Sequence, residues 1–375
     1  MQKLFVTAVL TAVLVCAGTA SAATVKIGLM APITGAFASE GQDTKKILDL
    51  MVEEVNKSGG INGATVELIV EDDGSTPRSA ATAASRLVAA NVPAVIGTYG
   101  SAVTEASQDI YDEAGVVQIG TGSTSIRLTA KGMKRFFRTC PRDDEQGRVG
   151  VATLKRFGYA KVAILHDNSA YAKGLADEIK QGIEKEKSAT ILFFDALVPG
   201  ERDYSAILTK LKGLNPDAVF FTGYYPEAGL LLRQMAEMKW SVPMIGGDAT
   251  NNTDLIAIAG AAATGYRFIS PPMPGDIDNA MAKSFLAAYQ AKYNSQPSSI
   301  WSVAAGDAFN VIVAAIKAKG ADSAAIADYL HNGMKDGLDS LTGKIAFDDK
   351  GDRIGDLYRL YEVSADGRFV LQPKQ

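Results

Sequence analysis

The chain has 375 residues, of which 47% are hydrophobic and 21% charged, with 38 Lys and Arg against 42 Asp and Glu and only two Cys and two His. This composition excludes disordered, collagen-like and coiled-coil chains. It lacks the basic excess needed to neutralise nucleic-acid phosphates, and its Cys and His cannot furnish a structural zinc site. At roughly 100–200 residues per domain, the length predicts two domains, each able to bury a core without staples.

Lys3 precedes an apolar stretch over 4–15, and Ala20-Ser21-Ala22 offers the small-x-small pattern cut by a signal peptidase. Cleavage after Ala22 and export to the periplasm are expected. The apolar run is shorter than the about 20 residues of a membrane helix, and Val15 before Cys16 does not suit lipoprotein processing. Cys140 then remains as the only thiol, so no internal disulfide can form.

From Ala23 onward strands and helices alternate. Apolar runs predict strands at 25–30, 65–71, 94–96 and 116–119, and 3.6-residue periodicity predicts helices at 41–58, 79–90 and 102–114. This βαβ rhythm implies a parallel sheet covered on both faces. A second series follows Arg142, with strands at 161–166, 190–196, 218–221 and 243–245 and helices at 145–157, 172–187, 204–211 and 227–239. Pro271-Pro272-Met273-Pro274 breaks the rhythm. Helices at 277–293, 302–319 and 323–332 and short strands at 344–347 and 357–363 come after it. They are too few for a third domain, so they are expected to complete the first two, with several crossings forming a hinge.

In an open parallel sheet, ligands bind beyond the carboxyl ends of the strands. Two small, hydroxyl-rich loops fall there, Gly97 to Ser101 and Gly120 to Ser125. Helix N-termini with Ser and Thr hydroxyls can hold a carboxylate without Arg or Lys. Ordinary N-caps are the competing reading for either loop alone, and the succession of two favours a site. Neither loop is a dinucleotide or triphosphate motif, and no Gly-x-Ser-x-Gly elbow occurs. In the second series the strand ends carry Tyr171, Tyr224-Tyr225 and Asp248 on a Gly-Gly turn. Tyrosine can wall a small, partly apolar ligand, and Asp248 can meet a cation or simply cap the following turn. His166 ends a strand and reads as structural. The 348–352 run lacks the ligand alternation of an EF-hand and reads as a solvated turn.

Together these residues resemble the amino-acid-binding subfamily of type I periplasmic binding proteins, the substrate-binding components of ABC importers. The resemblance rests on Ile27-Gly28 through Pro32 to Gly35, Asn56 to Gly63, Glu71-Asp72-Asp73, the two hydroxyl-rich loops, His166-Asp167 through Tyr171 to Gly174, and Gly223 to Glu227. It implies an α/β fold of two doubly wound parallel-sheet lobes joined by a multi-strand hinge, a venus flytrap. The expected lobes are 23–142 plus 272–353 and 143–271 plus 354–375.

It further implies that Ser101 and Thr124 hold a ligand α-carboxylate, with Ser123 beside them in the same loop and Gly122 setting a carbonyl near the α-ammonium. Asp248 would pair with that ammonium, and Tyr171, Tyr224 and Trp301 would wall the pocket. Three departures from the family pattern stand out. Glu40 occupies a place where an aromatic is usual, Asp248 replaces a Glu, and Ser75 and Gly100 replace a disulfide. The implied function is binding of an amino acid, branched-chain aliphatic in the first instance, by a monomer that delivers it to a membrane permease, with no cofactor, metal or catalysis. The alternatives are an aromatic or other carboxylic acid in the same fold, a periplasmic receptor that regulates a partner protein, and an enzyme on a doubly wound fold.

Overall fold

The computed structural model describes residues 23–373, and the expected leader over 1–22 and the last two residues lie outside them. The first series runs β1 (Thr24–Ala31), α1 (Ala38–Lys57), β2 (Thr65–Asp72), α2 (Pro77–Ala89), β3 (Ala94–Ile96), α3 (Ser101–Glu113), β4 (Val117–Gly120), the short α4 (Arg127–Ala130) and β5 (Phe136–Arg138). Its strands form one parallel sheet in the order β2-β1-β3-β4-β5. β5 has no counterpart among the expected strands; its apolar part is only Phe136-Phe137, set between Lys134-Arg135 and Arg138.

The second series comprises α5 (Asp143–Arg156), β6 (Lys161–His166), α6 (Ala170–Glu186), β7 (Thr190–Ala196), α7 (Ser205–Leu214), β8 (Ala218–Phe221), α8 (Tyr225–Glu237), β9 (Met244–Gly246), α9 (Asp254–Ala259) and β10 (Arg267–Ser270). These strands pair in the order β7-β6-β8-β9-β10, the same winding as the first sheet. Two consecutive sheets of identical strand order each place a switch point beside their first strand, where loops diverge and leave a crevice.

The remainder is α10 (Ala280–Tyr293), α11 (Ile300–Lys319), α12 (Ser323–Asp328), the hairpin β11 (Leu338–Ser340) and β12 (Gly343–Ile345), then β13 (Arg359–Val363) and β14 (Phe369–Leu371). The expectation that late strands complete the earlier sheets holds for the strand expected at 357–363: β13 adds to the second sheet antiparallel to β10, and β14, which had no counterpart among the expected strands, pairs antiparallel to β13 at its edge. The strand expected at 344–347 instead belongs to the separate hairpin. α11 is long and apolar enough to cross a bilayer, yet it is buried within the protein, packed on α1. The chain passes between the sheets after β5, after β10 and before β13.

Candidate functional site

The first-sheet half is built by the loops leaving β3 and β4. Tyr99 and Gly122 pair as an isolated parallel bridge, and Gly100 N–H donates to the Gly122 carbonyl at 3.1 Å. Gly100 takes a φ of 90° at the N-cap of α3, where no side chain caps the helix; Val103 N–H donates to the Gly100 carbonyl at 3.2 Å, which leaves the N–H groups of Ser101 and Ala102 as the first-turn donors without a partner among the described residues. The Ser101 hydroxyl accepts from Ser125 N–H at 3.1 Å, tying one loop to the other. A Cβ on Gly122 would lie 2.7 Å from the Tyr99 ring and 3.3 Å from Trp301, so both side chains close directly over this glycine.

Arg138 holds the second loop from behind. Fully buried, it donates to the carbonyls of Ser123 at 3.1 Å and Ser125 at 2.9 Å, to Thr129 Oγ1 at 2.6 Å and to Asp352 at 2.5 Å. Drawing these carbonyls inward fixes the orientation of the loop's peptide units. The Ser123 hydroxyl also turns inward, donating to the Thr98 carbonyl at 2.7 Å and bonding Thr104 at 2.5 Å. Ser123 therefore shapes the loop from within, while Ser101 and Thr124 are buried hydroxyls, the first tied to Ser125 and the second acting on Asp143.

Across the cleft, Asp248 follows β9 and is 2% exposed. Its carboxylate accepts from Tyr358 Oη and Gln146 Nε2, each at 2.6 Å, while its N–H donates to Gln146 Oε1 at 2.9 Å. Burial pushes its pKa up to about 7, with the hydrogen bonds from Tyr358, Tyr171 and Gln146 opposing the shift. Tyr171, at the start of α6, accepts from Ala249 N–H at 3.3 Å. Trp301, at the start of α11, donates from Nε1 to the Asp248 carbonyl at 3.3 Å, so this wall residue spans from the first half to the second.

Asp143 is a second buried acid. Neither of its carboxylate oxygens makes a hydrogen bond of good geometry to the described residues. Its pKa is raised well above the ordinary range by burial and then by the charge of Asp248, with the Thr124 hydroxyl opposing. The Arg138 guanidinium also opposes the rise at Asp143, and burial together with mutual repulsion makes it costly to ionise both acids at once.

Aromatic rings fill the far end. Tyr224 stacks on Phe37 at 4.4 Å between centroids and lies 5.8 Å from Tyr99 and 5.3 Å from Tyr171. The Tyr99 hydroxyl is buried without a partner among the described residues. Glu40 accepts from Asn252 Nδ2 at 2.7 Å and from Ser299 Oγ at 2.5 Å, and burial pushes its pKa up to about 7. With the Ser39–Tyr225 bond of 3.0 Å, this cluster bridges the loops of the two series at the cleft rim.

The structure thus brings Ser101, Gly122, Thr124, Tyr171, Tyr224, Asp248 and Trp301 together around one crevice and directs the Ser123 side chain elsewhere. Sequence reasoning missed Phe37, Tyr99, Arg138, Asp143, Gln146 and Tyr358. Asp143 stands in an acidic first turn with Asp144 and Glu145, which reads as ordinary dipole compensation. Tyr358 sits 110 residues beyond Asp248, with no local signal linking the two.

Two doubly wound lobes of the same strand order, meeting at two hydroxyl-rich loops and a buried acid, define the type I periplasmic binding fold. Residues 24–368 match the periplasmic binding protein family model, and the chain belongs to that family. Among its relatives, Leu/Ile/Val-binding protein homolog 3 of Brucella melitensis is 35% identical over 354 residues, covering 94% of each chain. The leucine-, isoleucine-, valine-, threonine-, and alanine-binding protein of Pseudomonas aeruginosa is 34% identical over 349 residues, covering 92% of this chain and 91% of its own. The branched-chain amino acid transporter substrate binding protein of Streptococcus pneumoniae, solved in complex with isoleucine, has a TM-score of 0.83 at 30% identity, covering 93% of this chain and 100% of that one.

Proposed function

We propose that this protein is the extracytoplasmic substrate-binding component of an ABC importer and that it binds a branched-chain amino acid (leucine, isoleucine or valine) between its lobes. The observation that carries this reading is the opposition of two poles. The uncapped start of α3 with the buried Ser101 and Thr124 hydroxyls supplies one pole in this reading, and the buried carboxylate of Asp248 supplies the other. A zwitterion satisfies both poles at once, whereas a plain carboxylic acid leaves Asp248 and Asp143 uncompensated.

In this reading Tyr171, Tyr224 and Trp301 wall the ligand, and Gly122 lets the first loop approach it. The lobes comprise 23–142 plus 272–353 and 143–271 plus 354–375. An open form exposes the Ser101 and Thr124 pole, and the ligand then bridges to Asp248 and draws the hinge closed. The closed shape of a monomer is what the permease subunits recognise. No bond is made or broken, so the protein acts as a carrier and not an enzyme. Cleavage after Ala22 releases it into the periplasm.

A thermal-shift and calorimetry panel of all amino acids and of aromatic acids tests this. A ligand at about 100 times its dissociation constant stabilises the native state by about 2.7 kcal/mol. Saturable one-to-one binding of leucine, isoleucine or valine supports the reading, and binding confined to amine-free acids overturns it.

A further inference from the structure

A second cavity, of about 240 Å³, lies at the hinge and not in the cleft. Its lining omits Ser101, Thr124, Tyr171, Tyr224 and Asp248, and it touches every passage of the chain between the sheets: Thr139 to Pro141, Pro271-Pro272, and Arg353 with Leu357. Trp301 is the shared wall, since it closes over Gly122 and also lines this cavity. Ile277, Ile300 and Ala304 make much of the remaining surface apolar.

One polar group in the lining is unsatisfied. The Arg353 side chain is 4% exposed. It donates from Nη1 to the Thr139 carbonyl at 2.9 Å and Thr342 Oγ1 at 2.7 Å and from Nη2 to the Thr342 carbonyl at 3.3 Å, yet its Nε–H has no partner among the described residues. A buried donor left unpaired costs about 1–3 kcal/mol, so an occupant offering an acceptor is favoured. Its charge is already balanced, because the buried carboxylate of Asp307 lies 3.8 Å away. Asp276 and Asp278 also line the cavity. Both are exposed, and Asp278 pairs with Lys283 at 2.6 Å, so the charge that disfavours an anion is the buried Asp307, which already balances the one guanidinium.

We infer that this hinge cavity is a second ligand site, for a compact, uncharged, mainly apolar molecule bearing one oxygen acceptor for Arg353 Nε–H, and that it rejects carboxylates of the same shape. An apolar cavity of about 150 Å³ takes benzene, so this one accommodates roughly seven to ten heavy atoms. An occupant would rest against all three interlobe passages and the back of Trp301, and so would couple to closure of the main cleft.

The test compares cyclohexanone with cyclohexanecarboxylate by calorimetry on the amino-acid-free protein, which makes its outcome independent of the amino-acid reading. Saturable one-to-one binding of the ketone, with a dissociation constant at or below about 1 mM for a ligand of this size, is expected, with the carboxylate at least about tenfold weaker. Ala304→Phe, which fills the cavity, is expected to abolish ketone binding while unfolding cooperatively. If that variant does not unfold cooperatively, Ile277→Trp takes its place. Absence of saturable ketone binding, equal affinity for the carboxylate, or ketone binding retained in a folded cavity-filling variant would each overturn the inference.

Discussion

Replacing Asp248 by Asn removes a charge but keeps an oxygen for Tyr358 and Gln146, which donate to the carboxylate at 2.6 Å each. Removing one partner of a buried ion pair costs about 3–5 kcal/mol. Part of the attraction for a ligand ammonium is consumed in ionising a carboxyl group that burial has raised to about 7, which favours the lower figure. About 3 kcal/mol corresponds to a loss of two powers of ten in affinity. Asp248→Ala in addition strands the Tyr358 hydroxyl and the Gln146 amide, at about 1–3 kcal/mol, and is expected to reach three powers.

The pH dependence follows in sign. A bound ammonium favours the ionised carboxylate, so leucine affinity in the wild type rises as pH climbs through about 7 and levels above it, with proton release on binding below that point. In the ligand-free protein the raised pKa acts on folding in the opposite sense. Its stabilising contribution is complete below 3.8, the ordinary value, and is lost as pH rises through about 7. Asp248→Asn is therefore expected to raise the melting temperature at pH values above that range while weakening leucine binding. Titration calorimetry across this range, in buffers of differing ionisation enthalpy, reads the binding effects directly. An Asp248→Asn affinity within threefold of wild type above the titration range, or a wild-type affinity flat across it, would refute the pairing.

Tyr224→Ala removes a ring stacked on Phe37 and packed near Tyr99 and Tyr171; calorimetry is expected to show leucine binding weakened at least about tenfold, with Tyr224→Phe close to wild type. Arg138→Met leaves Asp352 buried beside only the half-exposed Arg142 and frees the Ser123 and Ser125 carbonyls. A stability loss of about 3–5 kcal/mol in denaturant melts is the expected result. Gly122→Ala puts a methyl 2.7 Å from Tyr99. It should abolish measurable leucine binding while the protein still unfolds cooperatively, since the strain falls on a cleft loop.

Eight of the ten strands of the two parallel series were legible as apolar runs between turn residues, β5 and β10 being the exceptions, and four of them, β3, β6, β7 and β8, were located to the residue. The pairing of the two hydroxyl-rich loops was legible too, since both follow adjacent parallel strands, and they meet through Gly100 N–H to the Gly122 carbonyl and Ser125 N–H to the Ser101 hydroxyl. The side chains that support the poles were not. Arg138 ends a three-residue strand and meets Asp352, which reads locally as part of a solvated turn. Gln146 looks like any polar helix residue until Asp248 is brought against it from 102 positions away. Contacts of that separation follow from the winding of both sheets and leave no periodic trace in the chain. The direction of the Ser123 hydroxyl, which turns to the Thr98 carbonyl and Thr104, was not legible either, because packing alone decides which way a residue of an irregular loop points.

The Arg138–Asp352 pair carries a consequence for when this protein becomes competent. Every chain is made from its first residue, so the loops after β3 and β4 form long before Asp352 and Tyr358 are added. Until those late residues arrive, the arginine behind the loop has no counter-charge and the acid opposite lacks its phenol donor. Capture of cargo is thereby tied to completion of the polypeptide, and a fragment cut short of that point would retain most of both sheets yet remain unable to grip.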